Sequence, residues 1–593
     1  MTKNSACGAA RLRALASMFG LAATLAACGG DGGSPTPPPA PTPSPAPVPT
    51  PPPPAPTPTP VFQTTATTPA DGATDVARNV VIEEDFSLAV DPGFDKQAVA
   101  LLAPDGDVLP TVATVSGTAM HVAPADGALP GNSTYTMTLS AGLSDGHGHA
   151  LAGPQYTQFT TAPQHWDAHA TDLGPLPYSN GGTQPTSGID PLGNVTAVWH
   201  LPSATFGGPD TLMAARLDAA TGTWGAAAPV GPANAGVGVG PFDVNGEPDG
   251  STTLYWIESS YSTAVTHLAR YAPTTGLWTA LPDIPTMPAG ASLPMAASHV
   301  TDLQGNITLL TTDDIGLYAV RLDKLAGTWG APRAAVLPVT GVGIGWMQSC
   351  TDDAGDIVVA AIQAGSADKS LVAVRYDAAT DTWGAVQPVG ARPLTSLNDH
   401  FSLACNRRGG AALAWTRDDG LSAANSVHAS LLEPTTGTWS VDARVDQTDP
   451  VGIGANHARV ALDGGGNATL IWTEYGGTRF SRFAPHALPP AWSAPQWLTT
   501  TMDTELELVA DIAGNVTALL VENNAPTAIQ WLAATGQWQS PVLVGVPTTG
   551  TQIFANAPVA TMDRTGTLTS IWIAENGGTG GALVSSVTSN RFK

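Results

Sequence analysis

Charge is scarce in this chain, and positive charge is the scarcest. Only 12% of its 593 residues are charged, and 23 Lys and Arg face 48 Asp and Glu, which gives a net charge of −25. No basic block follows the first 13 residues. Nucleic-acid binding needs Lys and Arg to neutralise phosphates, so we do not expect it, nor do we expect charge-driven docking on anionic lipid.

Motifs of common catalytic and metal sites are also missing. The sequence has no His-rich metal motif, no nucleophile elbow and no phosphate-binding loop. We therefore expect no metal and no cofactor, and the sequence leans towards a non-enzymatic role. It is rich instead in Gly and Pro, with 64 and 53 residues, and in Thr and Ala. This composition favours short strands and turns over helices and predicts an all-β protein.

The N-terminus has the pattern of a bacterial export signal. Three basic residues precede an apolar stretch, residues 14–27, which is too short to span a bilayer. The stretch runs into Leu25–Cys28, which resembles the lipobox of bacterial lipoproteins. The resemblance implies a signal peptide over residues 1–27, cleavage after Ala27, a diacylglyceryl group on Cys28 and acylation of the new amino terminus. An ordinary secretory signal with a chance Cys is the alternative.

The residues after Cys28 indicate where the chain would be anchored. Gly29 follows the cysteine, whereas an Asp there marks inner-membrane retention in enteric bacteria. We therefore expect a lipid anchor in the outer membrane, with a periplasmic and a surface-exposed position both open. Residues 28–60 continue as a Pro-rich linker, which favours extended polyproline II. At about 3.1 Å per residue, the part of the linker in which Pro recurs at nearly every second position, residues 34–60, would reach roughly 80 Å.

Residues 61–162 change to short alternating strands and turns. The segment opens with Thr68–Val76, continues through Thr134–Met137 and ends in Phe159–Thr161, and these motifs resemble the SbsA-type bacterial Ig-like domain of surface proteins. Glu83-Glu84-Asp85 departs from the family, in which every second residue of the second strand is normally apolar. The resemblance implies an antiparallel β-sandwich that serves as a spacer or adhesion module.

Residues 163–593 are periodic. One unit begins Asp190-Pro-Leu-Gly-Asn and continues into an alternating strand, and a second half closes with Thr223-Trp224. Asp begins each turn and Gly takes its left-handed position, so each half predicts a β-hairpin. Two hairpins per unit of about 53 residues give a four-stranded propeller blade. The turn recurs eight times, near residues 190, 249, 302, 352, 409, 463, 511 and 563.

A Trp in the last strand of each unit tests this interpretation. Seven recur at Trp224, Trp278, Trp329, Trp383, Trp439, Trp492 and Trp538, and the eighth, Trp166, precedes the first unit. We infer that the strand at Trp166 completes the last blade and closes the ring. The sequence thus predicts a β-propeller of eight blades, with seven as the alternative. We expect the tryptophans to pack between sheets, and the recurring Arg216, Arg270, Arg321 and Arg375 to pair with nearby carboxylates or carbonyls.

Two cysteines outside the export signal occupy equivalent points of successive units. Cys350 and Cys405 would lie in an oxidising compartment. A disulfide between neighbouring strands and two buried free thiols both remain open, since inner strands can be too far apart to be bridged.

The candidate site lies at the ends of the second strands, beside the irregular loops. Four glutamates recur there, Glu258, Glu474, Glu522 and Glu575, and an acidic ring of them would bind a cation, an amine or sugar hydroxyls. Four solvated strand-end carboxylates are the simpler interpretation, and we prefer it. Because a rigid frame with variable loops on one face is a common binding arrangement, we expect this face to carry the site.

These observations favour an envelope lipoprotein that displays a propeller for binding a glycan or a surface protein. The turns weakly resemble the Asp-box of sialidase-like propellers, but here the spacing is Asp-x-x-Gly and the leading Ser is irregular. A propeller glycoside hydrolase or lyase is therefore the alternative, and a structural platform in the envelope is the second alternative. The expected partners are a membrane, through the lipid anchor, and a glycan or envelope protein.

Overall fold

The computed structural model describes residues 60–176, 185–203, 210–230, 238–259, 264–285, 297–312, 316–338, 344–364, 369–390, 401–418, 425–446, 454–501, 506–523, 525–545, 554–577 and 583–593. The signal peptide, Ala27, Cys28 and nearly all of the linker lie outside these residues. The described part is almost entirely β-structure, and none of its helices has the length and apolar character needed to cross a bilayer. The predicted all-β class is confirmed.

The first domain is a sandwich of two sheets. One sheet has the order Thr64–Thr68, Ile82–Phe86, Ala119–Pro124, Thr111–Ser116, and the other has the order Ala73–Val76, Gln155–Thr161, Thr134–Leu139, Val99–Leu102, Val108–Leu109. A single 3₁₀ turn, Lys96–Ala98, is the helical element described here.

Alternation along the strands places every second side chain in the core of this sandwich. Ile82, Met120 and Tyr135 are fully buried between the sheets. The acidic second strand keeps this register, because Glu84 is buried and its carboxylate accepts a bond of 2.7 Å from the Thr67 hydroxyl. One hydrogen bond to a buried carboxylate thus accommodates the departure from an apolar strand.

After the first domain, the described residues form eight antiparallel sheets, numbered here 1 to 8 in chain order. Sheets 1 to 4 comprise Thr186–Ile189, Val195–Leu201, Thr211–Asp218, Thr223–Trp224 with Ala228–Pro229; Gly238–Gly246, Thr252–Ser259, Ala264–Ala272, Leu277–Ala280; Ala297–Thr301, Ile307–Thr312, Gly316–Asp323, Thr328–Trp329 with Arg333–Pro338; and Ile344–Thr351, Ile357–Ala364, Lys369–Asp377, Thr382–Trp383 with Gln387–Pro388.

Sheets 5 to 8 comprise Phe401–Cys405, Ala411–Asp418, Asn425–Glu433, Thr438–Trp439 with Ala443–Arg444; Asn456–Leu462, Ala468–Glu474, Gly477–Ala484, Ala491–Trp492 with Gln496–Thr499; Glu507–Ala510, Val516–Glu522, Ala525–Leu532, Gln537–Trp538 with Val542–Leu543; and Phe554–Met562, Leu568–Gly577, Leu583–Phe592 with Thr171–Leu176. Within each sheet the strands follow in sequence order from the inside outwards, except that Thr171–Leu176 is the outer strand of sheet 8.

The sheets form a closed ring. The first strand of each sheet contacts the first strand of the next, and the first strand of sheet 8 contacts that of sheet 1. Thr171–Leu176 pairs with Leu583–Phe592, and Trp166 forms a bridge to Phe592. The chain segment before sheet 1 therefore completes sheet 8, and the predicted β-propeller is confirmed. If each of these sheets is counted as one blade, the propeller has eight blades. That number stays a prediction.

The core of the propeller is divided among clusters between neighbouring sheets. Trp199 packs between sheets 8 and 1, Trp415 between sheets 4 and 5, and Trp472 between sheets 5 and 6, each with 1% of its surface exposed or less. The fourth-strand tryptophans are half-buried against the same clusters, as Trp224 is opposite Leu217. These contacts make the fourth-strand tryptophans packing residues.

The two cysteines lie at the ends of neighbouring first strands, in sheets 4 and 5. The structure joins Cys350 and Cys405 by a disulfide, with their Cα atoms 5.8 Å apart. Neighbouring first strands are therefore close enough at this point for a bridge.

Candidate functional site

Antiparallel sheets give the ring two different faces. The turns between first and second strands lie at one end, together with the turns between third and fourth strands, and we call this the Asp-turn face. Six of the first set begin with Asp as expected, whereas Glu247 takes this position in sheet 2 and Asn406 takes it in sheet 5. The second strands end at the opposite end, which we call the loop face. The irregular loops singled out in the sequence, 201–210, 259–266, 363–369, 418–426 and 576–581, lie largely outside the described residues. The described part of the loop face consists mainly of strand ends.

One side of the loop face, in sheet 6, carries exposed aromatic side chains beside a charge pair. Glu474 binds the Nε of Arg479 and accepts a bond of 3.3 Å from the Trp472 indole. The Arg479 guanidinium lies 3.9 Å from the centroid of the Trp497 ring. Trp497 is 44% exposed and Tyr475, in the adjoining tight turn, is 74% exposed. We call Glu474, Tyr475, Arg479 and Trp497 the aromatic rim.

Glu522 in sheet 7 lies next to the aromatic rim. The hydroxyls of Thr499 and Thr501 donate to its Oε1 at 2.5 and 2.7 Å. Thr499 lies two residues after Trp497 on the strand Gln496–Thr499, and the register of that strand shifts between them, since they pair with the adjacent residues Thr478 and Arg479. Glu522 therefore contacts the strand Gln496–Thr499 directly, whereas Glu474 is linked to that strand only through Arg479, which lies over Trp497.

The other two glutamates occupy different surroundings. Glu258 contacts the Nε2 of His267 at 3.2 Å, and the His267 ring stacks on Trp256. Its sheet, sheet 2, lies across the ring from sheet 6. The backbone of Glu575 is in the second strand of sheet 8, but its side chain lies outside the described residues.

The glutamates described here therefore bind their own neighbours and do not converge on one centre. Within the described ranges, no three His, Cys, Asp or Glu side chains are placed to hold a metal ion.

A Ser–His–Asp arrangement lies at the start of the third strand of sheet 5. The Ser426 hydroxyl is 2.9 Å from Nε2 of His428, and Nδ1 of His428 is 2.7 Å from Oδ1 of Asp442. Arg417 donates to the other oxygen of Asp442 at 2.9 Å. Ser426 and His428 are each 2% exposed, and His428 stacks on Trp415. In hydrolases the same order of groups activates a serine, with the Asp orienting the imidazole.

Three basic side chains of the loop face were not predicted, although the sequence carries a signal for them. His267, His428 and Arg479 all lie in third strands, opposite a second-strand Trp. His267 and Arg479 each stand three residues before an arginine, Arg270 or Arg482. Aligning the third strands of all units would have revealed a recurring basic position. Trp497 and Tyr475 have no counterpart at a fixed repeat position, so no periodic signal could have found them.

Comparison with known proteins identifies one part of the chain. The bacterial Ig-like domain family matches residues 58–161. The predicted bacterial Ig-like domain is therefore confirmed, whereas its SbsA subtype stays a prediction. No curated protein sequence matches the chain significantly.

Several solved structures are similar to the chain at low identity. The Dos1 propeller is 9% identical, with 71% of this chain and 95% of that chain covered and a TM-score of 0.39. The polysaccharide lyase Uly1 is 12% identical, with 58% and 87% covered and a TM-score of 0.37. The α-L-arabinanase of Penicillium chrysogenum, in complex with arabinobiose, is 11% identical, with 59% and 92% covered and a TM-score of 0.33. Such values carry no argument about the activity of this chain.

Proposed function

We propose that this chain is an exported lipoprotein, anchored to the bacterial outer membrane through Cys28, that binds a glycan on the loop face of its propeller. The aromatic rim is the observation that carries the proposal. Sugar rings have apolar faces that stack on exposed aromatic rings such as Trp497 and Tyr475. Their hydroxyls bond to carboxylates and guanidinium groups, which Glu474 and Arg479 supply at the same place.

The charge of the chain narrows the ligand class. With a net charge of −25, the protein disfavours the close approach of polyanions, and salt limits this repulsion to about 10 Å. Next to the aromatic rim, Glu522 and its two threonine hydroxyls add acceptors and donors suited to neutral hydroxyl groups. The proposed ligand is therefore a neutral glycan, not an acidic polysaccharide.

A glycan array probed with the full lipidated chain in detergent tests this proposal. Trp497→Ala should weaken binding to neutral glycans by about tenfold, because it removes a stacking surface worth about 1 kcal/mol or more. Tyr156→Ala, which removes an exposed ring from the Ig-like domain, is the matched control and should bind like the native chain. Cys28→Ser should release the chain from the membrane fraction while leaving its glycan binding unchanged.

Three outcomes would contradict this proposal. Equal affinity of the Trp497→Ala and native chains would remove the aromatic rim as the site. Binding to no glycan, with envelope proteins co-purifying instead, would favour the structural-platform alternative. A Cys28→Ser chain that stays in the membrane would refute the anchor.

A hydrolase is the second candidate, favoured by the arrangement of Ser426, His428 and Asp442. Such a reaction requires the buried Ser426 hydroxyl, which here also donates to the Arg417 carbonyl at 3.1 Å, to become accessible; its oxygen then bonds to the acyl carbon of an ester while its proton passes to Nε2 of His428. His428 then protonates the leaving alkoxide, and water hydrolyses the acyl-enzyme.

Labelling with a fluorophosphonate separates this candidate from simple binding. The native chain should be labelled, while Ser426→Ala should not, because the reagent bonds to an activated serine oxygen. Ser402→Ala, which removes another buried propeller serine, is the control and should be labelled like the native chain. Absence of label on the native chain would leave binding as the function.

A further inference from the structure

An ion pair crosses the ring on the Asp-turn face. Asp353 lies in the turn after the first strand of sheet 4, and Arg564 lies in the corresponding turn of sheet 8. These sheets are four places apart in both directions around a closed ring of eight, so they are diametrically opposite. Even so, Nη2 of Arg564 is 2.8 Å from Oδ1 of Asp353. Such a contact can be made only across the mouth of the central channel.

The Ig-like domain contributes to the same cluster. Its Asp126 follows the strand Ala119–Pro124 and lies 3.2 Å from Nη1 of Arg407 and 3.7 Å from Nη1 of Arg564. Arg407, in the turn of sheet 5, also binds Asp353 at 2.7 Å. Two carboxylates and two guanidinium groups therefore alternate across the mouth, and each side chain is one-third exposed or less.

Apolar packing joins the Ig-like domain to the same face. Ala513, in the Asp turn of sheet 7, is fully buried within the hydrophobic core of the Ig-like domain. Beside it, Asn515 donates to the Ser133 hydroxyl at 2.9 Å. The backbone of the sheet 8 turn also packs closely against the Ig-like domain, because a Cβ placed on Gly566 would lie only 3.0 Å from Pro130. The two domains share a core and are not joined by a hinge alone.

We propose that the Ig-like domain is a fixed stopper that closes the Asp-turn end of the propeller channel. The charge cluster of Asp126, Asp353, Arg407 and Arg564 fills the mouth, and the shared core around Ala513 holds the stopper in place. Ligands then reach the channel from the loop face, which is turned away from the Ig-like domain. This role goes beyond the spacer or adhesion module that the sequence suggested, and it does not depend on which ligand binds.

Amide hydrogen exchange of the full chain tests the stopper. Asp126→Arg leaves three guanidinium groups facing one carboxylate, so the turns at 352–356, 406–410 and 563–567 should exchange about tenfold faster. Asp126→Asn removes the charge but keeps the shape, and it should give a smaller acceleration at the same turns. Asp283→Arg makes the same charge change at an exposed propeller position and serves as the control.

The outcomes are distinct. Acceleration confined to these turns, graded from Asn to Arg and absent in the control, supports the stopper. Native exchange rates at the three turns in Asp126→Arg would overturn it, as would equal acceleration in the control. If Asp126→Arg fails to fold, Asp126→Asn decides by the same criterion.

Discussion

At the scale of single residues, the repeat arginines connect one sheet to the next. Nη2 of Arg216 binds Asp190 at 2.8 Å and the Gly250 carbonyl at 2.6 Å, while Nη1 binds the hydroxyls of Thr196 and Thr252. Gly250 and Thr252 belong to sheet 2, so one side chain joins the turns of two sheets. Carboxylate partners recur in Arg270–Glu247, Arg321–Asp302 and Arg375–Asp356 pairs, as the sequence predicted.

We predict that Arg216→Ala lowers the free energy of unfolding by about 2–3 kcal/mol, because it leaves the fully buried Asp190 carboxylate without its cation. Arg333→Ala is the matched control, since the pair of Arg333 with Asp381 is exposed on both sides and should contribute about 1 kcal/mol or less. Urea unfolding followed by tryptophan fluorescence measures both. Similar losses in the two variants would show that Arg216 has no special structural role.

At the scale of elements, local patterns predicted the strands well but not the directions of their side chains. Asp turns such as 190–194 appear as expected, with Asp190 accepting from the backbone of residues 192 and 194 and Gly193 at a positive φ of 83°. The sequence also placed Glu258 and Glu474 at the ends of second strands. The sequence did not show that Glu258 binds His267 and that Glu474 binds Arg479, both in third strands. Cross-strand register decides which side chains meet.

At the scale of the whole molecule, the interface between the Ig-like domain and the propeller buries several carboxylates. Burial, with a smaller contribution from the neighbouring carboxylate of Asp105, raises the pKa of Asp463 to about 7. Burial likewise raises the pKa of Asp511 to about 6, with Asp105 contributing. The basic side chains facing these carboxylates include Arg482, Arg408, Arg78 and His486.

We predict that the midpoint temperature of thermal unfolding decreases as the pH is raised from 5 to 8. The folded-state pKa values of Asp463 and Asp511 exceed the value of about 4 for an unfolded chain, so the folded state prefers the protonated forms. The stability from these groups is complete below about pH 4 and is lost as the pH rises through 6 to 7. Asp105→Asn should reduce the fall, because it removes a negative charge that acts on both groups.

Thermal unfolding at several pH values measures this effect, with Asp283→Asn as an exposed control that should behave like the native chain. A native midpoint that rises from pH 5 to pH 8 would contradict the prediction. An unchanged pH dependence in Asp105→Asn would remove Asp105 as its source.

The sequence by itself determined the all-β class, the bacterial Ig-like domain, the turns of the propeller and the strand that closes sheet 8. These features follow from alternation, turn chemistry and a repeat period, which act over short stretches of chain. Only the tertiary structure decided that Cys350 and Cys405 are bonded, which partners the glutamates bind, and that Arg564 meets both Asp353 across the ring and Asp126 of the Ig-like domain. Those contacts depend on the radius of the ring and on how two domains dock. Neither is written in any local pattern, because the residues that meet lie up to hundreds of positions apart.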